Sequence, residues 1–135
     1  MTQKDKDLLL KDLFARLPYN VKVQYKNNIC SIDTYTESNK FILIDEKRNE
    51  YPSINDKLFL GIEEFKPYLF PLSSMTKEQS MEFALLQVNT HKDGFLYVCD
   101  CANMMKWLLK NHFDIYGLIE KGLAIDATGK NIYQL

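Results

Sequence analysis

Ten large apolar side chains crowd into the twenty-one residues from Trp107 to Ala127, WLLKNHFDIYGLIEKGLAIDA, and no other stretch limits the possible folds as strongly. Trp107, Leu108, Leu109, Phe113, Ile115, Tyr116, Leu118, Ile119, Leu123 and Ile125 would form an aggregating tail if they faced water, so burial is their expected fate. The pattern runs from the end of an amphipathic helix into turns punctuated by Gly117 and Gly122. The stretch is therefore expected to be the hub on which the remaining layers dock.

Periodicity supplies those layers. From Lys4 to Leu17 the spacing predicts a helix, with Leu9, Leu10, Leu13, Phe14 and Leu17 in one stripe and Lys6, Lys11, Asp12 and Arg16 on the other side. Thr2 or Asp5 can cap it, and Pro18 ends it. Val21 to Tyr25 alternates like a strand with Lys22 and Gln24 on its wet face, Asn27-Asn28 suits a tight turn, and the β-branched run Ile29 to Thr36 returns. Phe41 to Ile44, apolar at successive positions, predicts a central strand covered on both sides, and Lys57 to Ile62 a fourth strand. Lys66 to Thr76, KPYLFPLSSMT, holds two prolines and two serines and is read as a connector between layers.

Beyond the connector, Thr76 and Gln79 have capping-box spacing and open a helix whose Met81, Ala84, Leu85 and Val88 share a face. It should stop near Asn89, with Asp93-Gly94 as a turn and Phe95 to Val98 as a short strand. Asp100 is expected to cap a helix to Asn111, with Met104, Met105, Leu108 and Leu109 inward and Lys106 and Lys110 outward. Asp114 suits the start of a short turn and Gly122 a left-handed terminus, while Leu123 to Ile125 and Ile132 to Tyr133 flank the turn Ala127 to Asn131 as a terminal hairpin or edge strands. The sum is an α+β fold in one domain, residues 1–135: an N-terminal helix, an antiparallel meander of three to four strands, and two to three C-terminal helices packed on the sheet.

Seventeen basic against eighteen acidic side chains leave a net charge of −1, which gives no overall field toward nucleic acid or an anionic membrane. No apolar run approaches the ~20 residues of a membrane span, and the charged N-terminus does not read as a secretory leader. Cys30, Cys99 and Cys101, an odd number, are expected as free thiols in a cytoplasmic protein.

Several chemistries are open to these residues. His91, Cys99, Cys101 and His112 are zinc-type ligands, but the one-residue gap between the cysteines departs from the gaps of structural zinc sites, so no metal or other cofactor is expected. A hydrolase using Cys99 or Cys101 would need a base, and eleven residues of helix would hold His112 roughly 16 Å from Cys101. Asp45-Glu46 and Glu63-Glu64 read as solvated turns. Ala127 to Asn131 lacks the glycine and Ser/Thr of a phosphate-binding loop. Lys22, Gln24, Lys26, Tyr35 and Lys40 could make a basic, aromatic strand face for nucleic acid. Phe65, Tyr68, Phe70 and Met75, around the proline-stiffened connector, could either face a partner protein or lock the connector inward.

The segments KPYLFPLSSMT and NHFDIYGLIEKGLA resemble a family of small uncharacterised proteins encoded by gut anaerobes and their phages, which share KPYL-x-P-x-SSMT and NHFD-xx-GLI-xx-GLA. The resemblance implies a compact accessory domain and carries no activity, cofactor or catalytic residue. The resulting expectation is a non-catalytic, cytoplasmic protein, phage-derived, that binds another protein or itself through a sheet edge or the Lys66 to Thr76 connector. A nucleic-acid-binding regulator and a small cysteine-dependent hydrolase are the alternatives.

Overall fold

The computed structural model describes residues 1–53, 57–88 and 98–133. Helix α1, Gln3–Arg16, opens on a capping box: the Thr2 hydroxyl accepts from the Asp5 N–H and the Asp5 carboxylate from the Thr2 N–H. Pro18 lies in a 3-10 turn, Leu17–Tyr19, that closes on left-handed Asn20. Strands β1 (Lys22–Tyr25), β2 (Asn28–Tyr35) and β3 (Phe41–Asp45) form the expected antiparallel meander. The tight turn falls one residue earlier than Asn27-Asn28: Tyr25 pairs with Asn28, and Lys26 takes the positive φ of 52°.

The sheet is larger than the three to four strands expected. Six strands run in the order β4-β3-β2-β1-β5-β6, with β4 (Glu50–Tyr51), β5 (Lys66–Leu69) and β6 (Ile125–Asp126) added. All pairs are antiparallel except β5 with β6. The supposed connector thus contributes a strand. Pro67 is tolerated because β6 reaches only Tyr68 and Leu69, leaving β5 an edge at the proline. Lys57 to Ile62 forms no strand; it touches the sheet through a single bridge between Leu60 and Phe41. Consequently β3 is next to the edge, with Phe41 and Leu43 buried on its inner side and Ile42 and Ile44 half-buried on the other.

The inner face, Val23, Tyr25, Cys30, Phe41 and Leu43, forms one core with Leu9 and Leu13 of α1 and with Leu118 and Leu123 of the hub. At ~2 kcal/mol for each fully buried leucine, this cluster is the main source of stability. Asp12 and Arg16 were expected on the outer side of α1, yet both are fully buried. Their turn of the helix is covered by the hub: Arg16 Nε and Nη2 donate to the Asp12 carboxylate at 2.7 and 2.9 Å, and Nη2 also donates to the Phe113 carbonyl at 2.6 Å. Burial raises the Asp12 carboxyl above its ordinary range, against the pull of Arg16.

Helices α2, Lys77–Val88, and α3, Val98–Lys110, follow β5. The Thr76–Gln79 capping box is present. Asp100 lies inside α3 rather than at its cap, because the helix starts at Val98. Asn89, the Asp93-Gly94 turn and the 95–97 part of the expected strand lie outside the described residues. Among the described residues no helix is long and apolar enough to cross a membrane.

Candidate functional site

Helix α3 ends in the hub. The His112 N–H donates to Leu109 O at 3.0 Å and the Phe113 N–H to Leu108 O at 2.9 Å, the paired bonds of a Schellman terminus. His112 holds the left-handed position with φ 64°, where glycine is usual. The chain then bridges to Phe70: His112 O accepts from the Phe70 N–H at 2.9 Å, and the Asp114 N–H donates to Phe70 O at 2.8 Å. Asp114 starts the next turn as expected, its carboxylate accepting from the Leu118 and Ile119 N–H groups at 2.9 and 3.0 Å. Gly122 is left-handed, also as expected.

The C-terminal segment folds back across this junction. Left-handed Gly129 and Asn131 turn it so that the Tyr133 ring stacks on His112, centroids 3.6 Å apart and planes 10° from parallel. The Tyr133 hydroxyl donates to Tyr68 O at 2.6 Å and accepts from the Lys22 N–H at 2.9 Å. Burial, with lesser contributions from the Arg16 and Lys22 charges, lowers the His112 pKa to about 4, so its imidazole is neutral near pH 7. His112 Nδ1 is buried without a hydrogen-bond partner, which favours the tautomer with its proton on Nε2. A cleft of about 390 Å³ opens here, between Phe70, Gln79, Lys110, Asn111, His112 and Tyr133.

The connector aromatics divide. Phe65 and Tyr68 are 2% and 5% exposed, turned inward, while Phe70 and Met75 are half-buried. Phe65 meets Phe41 edge-on at 5.3 Å, and Phe70 lies 6.3 Å from Phe113 and 5.8 Å from Tyr133. A partner could reach Phe65 or Tyr68 only by opening the core. Several apolar side chains elsewhere are exposed: Leu58 at 73% with Phe59 before the connector, and beyond it Leu72, Met81 and Leu85 of α2 at 62% and 67%, and Met105 of α3. Met105 was expected inward with Met104; half-buried Met104 and Trp107 take that role, with Trp107 stacked on Phe83 at 5.3 Å and on Phe113 at 5.7 Å.

The basic face is not assembled. Lys22 and Gln24 share the outer side of β1, but a bulge in β2 between Ile32 and Thr34 moves Tyr35 to the opposite face, where it meets Phe14 of α1 edge-on at 5.2 Å. Lys26 sits in a turn over the Tyr25 ring, and Lys40 lies in the turn before β3. Asp45 serves its own turn, accepting from the Asn49 and Lys47 N–H groups, and the Asn49 bond leads in lowering its pKa. Glu64 accepts from the Gly61 N–H and from Lys57.

Cys101 is exposed on α3, away from His112 at the far end of that helix. Cys30 is buried in the sheet, and burial together with the Asp45 charge pushes its thiol to about 11, which makes it a poor nucleophile. His91 and the Cys99 side chain lie outside the described residues, among which no group of His, Cys, Asp or Glu is placed to hold a metal ion. The sequence reading missed Tyr133 as the partner of His112 and the exposure of the α2 stripe. No family model matches the chain, and neither a curated protein nor a solved structure matches it.

Proposed function

We propose that this chain is a non-catalytic accessory domain, working in the cytoplasm, that pairs with a second copy of itself through the outer sides of α2 and α3. One observation carries the reading. Met81, Ala84 and Leu85 share the exposed side of a helix whose other side, Phe83 and Leu86, is also apolar. Large apolar side chains this exposed in one contiguous stripe mark a contact surface, so a cover for the outer stripe is expected. Charge points to the cover: exposed Glu78 and Glu82 flank the α2 stripe, whereas exposed Lys106 sits beside Met105 on α3. A twofold axis that lays α2 of each copy across α3 of the other brings these charges together and buries the methionines against Leu85. Flexible methionine side chains suit such a contact. The free thiols Cys30 and Cys101 fit a reducing compartment, and the resemblance to small phage-borne proteins fits an accessory role.

The test is charge exchange. Glu82→Lys and Lys106→Glu should each weaken pairing in size-exclusion chromatography with light scattering, and the double variant should recover it. A double variant no better than either single one would refute this interface.

A further inference from the structure

We infer that the cleft at the end of α3 binds a small, flat organic anion, an aromatic ring bearing a carboxylate or a phosphate. Its volume of about 390 Å³ falls in the range of small-molecule sites. Phe70, His112 and Tyr133 give it an aromatic wall, and among the described residues Lys110 is the one charged side chain in its lining. Lys110 repels a cation, no carboxylate stands in the lining among the described residues, and a purely apolar guest would strip water from Lys110 and the amides without replacing it.

The amides have defined roles to offer. Gln79 Oε1 is engaged by the Thr76 N–H at 2.9 Å, so its NH2 is the group available to donate. Asn111 Nδ2 is engaged by Trp107 O at 2.9 Å, so its oxygen is available to accept. Lys110 and Gln79 thus supply donors for an anionic group, and Asn111 an acceptor for a ring N–H or amino group. The wall is fixed before any ligand arrives, because Tyr133 is tied by its hydroxyl to both β1 and β5. A histidine at the left-handed helix terminus costs about 1 kcal/mol relative to glycine, and its ring builds this wall.

The experiment is an NMR titration of the full chain with benzoate, adenosine monophosphate, inorganic phosphate and benzamidinium, reading the His112 and Tyr133 ring signals. Benzoate or adenosine monophosphate should produce a saturable shift, benzamidinium none, and Lys110→Glu or Gln79→Ala should weaken the response, the charge reversal by about tenfold. Lys110 and Gln79 lie on helix surfaces, so both variants are expected to fold, and their spectra check this. A response to adenosine monophosphate alone identifies a phosphate-bearing ligand; one to benzoate alone, a carboxylate. No saturable shift with either, an equal shift with benzamidinium, inorganic phosphate acting as well as the aromatic anions, or a response untouched by Lys110→Glu would each overturn the inference.

Discussion

Arg16→Ala should be among the most damaging substitutions in this chain, although the residue reads from sequence as part of a solvated helix side. Arg16 is fully buried, and both its Nε and Nη2 bond to Asp12, itself fully buried one helical turn earlier. Removing the guanidinium strands a carboxylate in the interior and leaves the Phe113 carbonyl without its 2.6 Å donor. Breaking one side of such a pair costs about 3–5 kcal/mol, whereas replacing both partners by apolar groups of similar volume is often neutral. For a chain of this length that loss corresponds to a fall in melting temperature of about 10–20 °C. The assay is chemical denaturation at pH 7 of wild type, Arg16→Ala and the double variant Asp12→Leu with Arg16→Met. The double variant should recover most of the loss, short of about 1 kcal/mol for the bare carbonyl. A single-variant cost below about 1 kcal/mol would refute the reasoning, since it would mean that water reaches Asp12 in the folded protein.

Other expectations follow from the same junction. The His112 pKa is lowered to about 4 in the folded chain against 6.5 for the free side chain, so the unfolded state binds the extra proton between those values and stability falls as pH drops from 6.5 to 4. The full shift would correspond to about 3 kcal/mol; solvent access to the half-buried ring reduces this to about 1–2, and urea midpoints against pH should show that slope flattened in His112→Asn. Asp12, whose pKa is raised, acts with the opposite sign from 3.8 upward, and the difference between the two proteins cancels it. Asp114→Ala leaves the Leu118 and Ile119 N–H groups without their acceptor and should cost about 2 kcal/mol in the same assay. Tyr133→Phe removes the hydroxyl that ties the C-terminal segment to Lys22 and Tyr68; about 1–1.5 kcal/mol should be lost, with faster amide exchange at Lys22.

Local signals were legible and long-range ones were not. The Thr2 cap, the Asp114 turn and left-handed Gly122 are each set by residues within five positions of one another, and the β1–β2–β3 meander shows in the apolar pattern of each strand and the short polar turns between them. Strand β5 was hidden because its proline resembles a linker signal, and only the shortness of β6 makes Pro67 acceptable there. The β2 bulge added one residue to a clean alternation and so sent Tyr35 to the wrong face for a nucleic-acid surface. Asp12 and Arg16 carried a local hint, opposite charges at helical i,i+4 spacing, but that spacing is equally common on solvated helices. The stacking of His112 on Tyr133 spans two chain turns and had no signal at all.

The central claim, that α2 and α3 of two copies cover one another, is tested most directly by sedimentation equilibrium over a range of protein concentrations. Wild type should approach twice the mass of one chain and fall toward the single-chain mass on dilution, while Leu85→Glu, which places a charge in the middle of the stripe, should stay monomeric throughout with an unchanged circular dichroism spectrum. Wild type that remains monomeric at every concentration, or Leu85→Glu that pairs as well as wild type, would contradict it.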